Sequence, residues 1–333
     1  MNVDTTPGNG TKRSLITGGA GFIGSHLTEH LLNLGHEVVV LDDLSTGSED
    51  NLAGFRDHPR LRFVCGSVCD FDAVESCMAG VEAIYHLAAA VGVFTILSKP
   101  LESLHTNLKG TEMVLEAARR HEVPILMAST SEVYGKNNSE QLSEGEDRII
   151  GSPLVSRWSY AEAKALDETL VFLYSQEWGV RSVIVRLFNT VGPRQSGRYG
   201  MVIPRFVAQA IAGEPLTVFG DGQQIRSFCH VFDVVPALVA LLEDEASHGT
   251  VYNLGSSEAL SITTLAQKII AATGSRSEIV KIPYEEAYGP GFEDMLRRVP
   301  DCARARGQID FQPRHSLQQI INSVIAEHRA ARG

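Results

Sequence analysis

Between Ser14 and Leu27 a short apolar run, a glycine-dense turn and an amphipathic helix follow one another, and no other stretch limits the fold as much. Gly18, Gly21 and Gly24 stand as G-x-x-G-x-x-G, a relative of the dinucleotide fingerprint G-x-G-x-x-G. Gly18 permits a tight strand-to-helix turn. Gly21, followed by Phe22 and Ile23, lets a pyrophosphate approach the backbone, and Gly24 lets the helix pack closely on the strand. The helix that starts here turns its N–H groups and positive dipole end toward that anion. Glycines alone fit a plain tight turn equally well; the residues that follow decide. Val38–Leu41 reads as a buried strand ending in Asp42, 18 residues past Gly24, where a ribose-binding acid belongs. An acid rather than an arginine there predicts NAD rather than NADP.

The rest of the first half alternates strand and helix patterns, which predicts a parallel sheet with crossover helices. Strands are expected at 61–65, 83–89, 125–129 and 182–187, and helices at 105–121 and 158–178. Asp70 follows the third strand and suits either a helix cap or a contact with adenine. Past Asn189 the alternation weakens, and Pro193, Pro204 and Pro215 suggest a looser second lobe. Helices at 237–242 and 262–272, a strand at 251–254 and a loop at 283–301 are expected there. The polar residues 1–11 read as a flexible lead-in. A dinucleotide-binding domain is expected over 12–188, with 227–255 returning to it, and a second lobe over 189–226 and 256–333.

A formal net charge of −11 gives no general attraction to nucleic acid or to an anionic membrane surface, so an anionic substrate needs local arginines. Five scattered cysteines without C-x-x-C spacing predict reduced thiols and a cytoplasmic protein. His26 and His30, at i and i+4, have no third ligand nearby in the sequence, and no metal is expected.

Tyr160 and Lys164 also stand at i and i+4, on one face of the 158–178 helix. A cation beside a phenol, together with a positive nicotinamide ring, favours phenolate, so Tyr160 is expected to titrate nearer neutral pH and serve as a base for a hydroxyl proton. The strand ending at Ser129-Thr130 offers a hydroxyl to share that substrate hydrogen bond.

Together these features resemble the extended short-chain dehydrogenase/reductases, specifically the sugar-nucleotide branch of NAD-dependent epimerases and dehydratases. The likeness runs from about residue 13 to 325. It rests on Gly18–Gly24, Asp42, His86-Leu87-Ala88-Ala89, Asn107, Ser129–Gly135, Tyr160 with Lys164, Arg186–Arg194 and Arg226-Ser227-Phe228. The resemblance implies a Rossmann-type doubly wound parallel sheet with a smaller C-terminal substrate lobe. It implies a tightly held NAD that takes hydride from a sugar C4 and later returns it, and a UDP-sugar as partner. Thr130, Tyr160 and Lys164 match the catalytic hydroxyl, tyrosine and lysine. Leu87, Ala88, Ala89, Asn107 and Asp70 fall at cofactor positions. Asn189, Arg194, Arg226 and Arg298 fall at positions for diphosphate or sugar, where a guanidinium fork suits such oxygens. Helices 105–121 and 158–178 imply a homodimer.

Within that branch, the residues after Thr130 separate the reactions. Dehydratases usually read Thr-Asp-Glu, and simple 4-epimerases carry small residues where this chain has Glu132. Thr130-Ser131-Glu132 resembles the UDP-glucuronate decarboxylases, as does Arg157-Trp158-Ser159-Tyr160. The resemblance therefore implies C4 oxidation of UDP-glucuronate and loss of CO2, giving UDP-xylose or UDP-4-keto-xylose. Ser131, Glu132 and Arg226 would handle the carboxylate and the returning proton. A UDP-sugar 4-epimerase is the alternative, and a non-catalytic NAD sensor would have no use for the Thr130/Tyr160/Lys164 set.

Overall fold

The computed structural model describes residues 10–90, 92, 99–197, 200–289 and 291–330; most of the expected flexible lead-in, residues 1–9, lies outside them. In chain order the strands are β1 (Arg13–Thr17), β2 (Glu37–Asp42), β3 (Leu61–Cys65), β4 (Ala83–His86), β5 (Ile125–Thr130), β6 (Ser182–Leu187), β7 (Thr190–Val191), β8 (Leu216–Phe219), β9 (Ile225–Ser227), β10 (Cys229–His230), β11 (Thr250–Leu254), β12 (Ala259–Ser261), β13 (Ile279–Ile282) and β14 (Arg297–Arg298). The helices are α1 (Phe22–Asn33), α2 (Phe71–Ser76), α3 (Pro100–His121), α4 (Ser159–Trp178), α5 (Val202–Ala212), α6 (Val231–Glu243), α7 (Ile262–Thr273), α8 (Tyr284–Tyr288), α9 (Ala303–Ile309) and α10 (Leu317–Ala330).

Seven strands pair in parallel in the order β11-β6-β5-β4-β1-β2-β3. A parallel sheet is covered on both faces, which is why Val38–Leu41 could be apolar without alternation; all four are buried. Residues of α2, α3 and α4 pack one face, and residues of α1, α6 and α9 the other. β1 lies between β2 and β4, so the strand order reverses there. The crevice beyond the C-terminal ends of strands at such a reversal is where ligands bind in open α/β sheets.

A second core gathers β7, α5, β8, α7 and α10 around Phe206, Leu265 and Ile320. Short strands form three small sheets of their own: β7 with β10, β8 with β13, and β9 between β12 and β14. The parallel register of β9 and β14 sets Arg226 beside Arg298.

Three expectations are corrected. Helix α3 begins at Pro100, five residues earlier than its periodicity implied, because proline fits the first helical turn. The 190–226 segment holds α5, whose Ile203, Phe206, Val207 and Ala210 form a buried stripe; Pro204 sits in its first turn and breaks nothing. The expected loop at 283–301 contains α8 and β14.

Candidate active site

A cleft of about 1190 Å³ runs from the β1–α1 turn to the short strands of the second core. Its first end is built almost entirely from neighbouring residues in the chain. Gly18 has φ +72°, and a Cβ there would lie 2.7 Å from the Ala88 amide nitrogen. A Cβ on Gly24 would meet the Gly18 carbonyl and lie 2.7 Å from the Gly19 Cα. Gly21 is the N-cap of α1 and offers no side-chain cap, so the first amides of the helix face the cleft wall formed by Gly21, Phe22, Ile23 and Gly24. Asp42 closes β2; its two oxygens accept from Ala20 N at 2.9 Å and Leu44 N at 2.8 Å. Burial pushes its carboxyl upward against the pull of those amides. Leu87, Ala88 and Ala89 line the cleft across from the turn. An uncapped helix start, a turn that rejects side chains and a buried acid at the next strand end fit a dinucleotide's pyrophosphate and ribose.

Two expected cofactor residues stand elsewhere. Asp70 is exposed and caps α2, accepting from Asp72 N at 3.0 Å; it is absent from the cleft wall. Asn107 is buried behind that wall and holds it, accepting from Ala90 N at 2.8 Å. A polar residue at a strand or helix end reads the same in sequence whether it caps, clamps or binds.

The second end is assembled from distant segments. Thr130 ends β5 and its hydroxyl accepts from Glu132 N at 3.2 Å, starting a short 3-10 turn over Ser131–Tyr134. Val133 and Tyr134 anchor that turn in a small core with Trp158, Phe188 and Met295, leaving Ser131 and Glu132 on the cleft. Glu132 meets two guanidiniums: Arg157 Nη1 at 2.6 Å, and Arg298, whose other nitrogen donates to Asn189 Oδ1. Arg226 donates to Asp294 Oδ2 at 2.9 Å, and Tyr284 donates to the same oxygen at 3.0 Å. Arg157 also lies 3.8 Å from Asp294. Glu132, Asn189, Arg226 and Arg298 are thus brought together as the sequence suggested. Arg194 lines the cleft apart from them, paired with Glu29 of α1 at 2.5 Å.

Burial alone would raise the Glu132 carboxyl; Arg157 and Arg298 outweigh it and hold it at about 2. A carboxylate held between two guanidiniums is largely neutralised.

Tyr160 lines the cleft and is 8% exposed. Burial first, then the charges of Glu132 and Asp167, push its hydroxyl above the ordinary tyrosine range, against Arg298. The expected Lys164 partnership is redirected: the Lys164 ammonium bonds Asp167 Oδ2 at 2.9 Å, and Lys164 is not part of the cleft wall. Asp294 and Asp167 are the residues that sequence reasoning passed over, and neither has a signal outside the fold. Arg157 was marked only as part of Arg157–Tyr160, without a role of its own.

A family model described as the NAD dependent epimerase/dehydratase family matches residues 14–255. Over its length the chain is similar to the UDP-N-acetyl-alpha-D-glucosaminuronate decarboxylase of Bacillus cytotoxicus, 40% identical over 318 residues covering 94% of this chain and 97% of the relative. It is 37% identical to the UDP-glucuronic acid decarboxylase 1 of Xenopus tropicalis over 314 residues, 94% of this chain and 71% of that one. The fold is similar to that of the Thermus thermophilus UDP-glucose 4-epimerase solved with NAD, with a TM-score of 0.84, 29% identity, and coverage of 96% and 99% of the two chains.

Proposed function

Because the chain belongs to the NAD dependent epimerase/dehydratase family, we propose that it oxidises the C4 hydroxyl of a UDP-hexuronate, releases CO2 from C5 and reduces or releases the resulting 4-ketopentose. UDP-glucuronate is the substrate assigned first, and its 2-acetamido analogue is the close competitor. The observation that carries the reading is the charge at the far end of the cleft. Three arginines, Arg157, Arg226 and Arg298, stand against two carboxylates, Glu132 and Asp294, leaving a net positive charge for an anionic sugar.

Gly18, Gly21, Gly24 and Asp42 would hold NAD, which when bound would supply the hydride acceptor and later the donor, and whose positive ring would oppose the burial and carboxylate charges that raise the Tyr160 hydroxyl. Tyr160 takes the C4 hydroxyl proton while Thr130 holds that oxygen. With C4 a ketone, the C5–C6 bond breaks, CO2 departs, and the bond electrons move onto the C4 oxygen as an enolate. Tyr160, now protonated, is able to return one proton, and the second, needed when the ketone is reduced, comes from water. Ser131 and Arg226 contact the carboxylate before it leaves, and Asn189 with Arg298 contacts the diphosphate or sugar. Electrostatic holding of a leaving carboxylate and a developing enolate is the term on which such sites depend most.

The reading extends to assembly and location. Leu101 of α3 and Leu166, Phe172, Leu173 and Trp178 of α4 are large apolar side chains at least 43% exposed, which supports a homodimer formed through these helices. Five unpaired cysteines support a cytoplasmic setting. Among the described residues no helix is long and apolar enough to cross a membrane.

The test is CO2 release from UDP-glucuronate and from UDP-N-acetylglucosaminuronate, with the product identified by NMR. A 4-ketopentose or pentose nucleotide is expected from at least one. Unchanged carboxylate in both, with inversion at C4, makes the chain a 4-epimerase.

A further inference from the structure

Asp167 and Lys164 form a buried ion pair that the mechanism does not use. Asp167 lies on α4 one turn after Lys164, is fully buried, and has one oxygen on the Lys164 ammonium at 2.9 Å. Its other oxygen, Oδ1, has no hydrogen-bond partner among the described residues. The remaining contact of Lys164 is the Met127 sulfur on β5 at 3.4 Å. The next residue, Glu168, is committed elsewhere, gripping Arg186 and accepting from Ser129. Burying a carboxylate with one oxygen unsatisfied costs free energy that an apolar residue would not, so its presence calls for an electrostatic reason.

We propose that Asp167 is a positioning residue for the redox step, holding the Lys164 ammonium on the helix side and so setting how strongly that cation acts on the Tyr160 hydroxyl. The inference rests on the reading of Tyr160 as the base. The charged and titratable groups around the pair are few. Tyr160 shares α4. His86 on β4 is held neutral at about 3 by burial and by Lys164. Glu132, on the turn after β5, and Asp167 itself push the Tyr160 hydroxyl up, and Arg298 on β14 pulls it down. Helix α3, packed against α4, contributes no ionisable side chain to its buried face. Asp167 is therefore the counter-ion that decides whether Lys164 presents a full charge or a cancelled one to the phenol. A carboxylate beside the ammonium restrains phenolate formation, and removing it releases the lysine's field.

The experiment titrates the labelled Cζ of Tyr160 by NMR in the NAD-loaded protein without substrate, the signal being identified by its loss in Tyr160→Phe. Asp167→Asn is expected to lower the midpoint by about one pH unit, Lys164→Met to raise it, and Asp167→Glu to restore the parent value. The acid limb of the pH profile for C4 oxidation should move with the midpoint. If the Asn variant does not fold, Asp167→Ser, which leaves room for a water, carries the same measurement. A midpoint that stays at the parent value in the folded neutral variant overturns the proposal and leaves Asp167 a purely structural counter-ion. Substrate plays no part in the titration. A shifted midpoint with no CO2 release therefore counts against the decarboxylase reading alone, and CO2 release with an unshifted midpoint counts against this inference alone.

Discussion

The two ends of the cleft are built on opposite plans. The cofactor end takes its key residues from Gly18 to Asp42, one unbroken β-α-β passage, plus the end of β4. The sugar end draws Glu132, Arg157, Asn189, Arg226, Asp294 and Arg298 from five separate segments, helped by strands two or three residues long. A contiguous site tolerates change at its rim, because backbone makes most of it. A dispersed site made of paired charges propagates the loss of one member to the others, since each partner is left buried and uncompensated.

The largest effect tests where the two ends meet. Tyr160→Phe should lower C4 oxidation by about 10³-fold, the scale of a lost general base, while NAD affinity holds. NADH formation in a single turnover measures it, and normal turnover removes Tyr160 from its role. Arg298→Met should come next, with kcat/KM down about 10²-fold, because Glu132 and Asn189 lose their shared partner. If NAD affinity, read by fluorescence quenching, fell as much, the two ends would not be separable as described.

Glu132→Gln should slow CO2 release more than tenfold and also carry a pH signature. The Glu132 carboxyl lies at about 2 in the folded chain against an ordinary 4.5, so its stabilising contribution is present above about 4.5 and fades as pH falls toward about 2. The melting-temperature gap between parent and variant should close across that window. A constant gap would mean that the arginines do not hold the anion. The smallest effect is expected at the contiguous end. Asp42→Asn keeps an acceptor for one of the two backbone amides, turns an NH2 toward the other, and should weaken NAD binding about tenfold, the scale of one charge-assisted hydrogen bond, as isothermal titration would read.

The same contrast explains what could be read without coordinates. Gly18, Gly24 and Asp42 announce themselves because their spacing along the chain is their spacing in space. The seven-stranded sheet was equally legible, since parallel strands buried on both faces leave continuous apolar runs such as Val38–Leu41. β7, β9, β10 and β14 were not, because two or three residues have no period to detect. Arg226 and Arg298 become neighbours only through the register of β9 and β14. Asp70 and Asn107 went to supporting positions because the polar residue that caps a helix and the one that meets a ligand are chemically alike. Asp167 was hidden beside Glu168: two adjacent acids on a helix read as a solvated edge, yet each is paired with a buried cation.

The segment from Glu293 to Arg298 gives the dispersed end one point of leverage. Glu293 accepts from the Trp158 indole at 2.7 Å and meets Lys136, Asp294 engages Arg226 and Tyr284, Met295 fills a core, and Arg298 bridges Glu132 and Asn189. Six consecutive residues thus touch all four other pieces of the sugar site. For an engineer this hexapeptide is a cassette: exchanging it as a block would re-aim the enzyme toward a different sugar while the oxidant stays seated where it was.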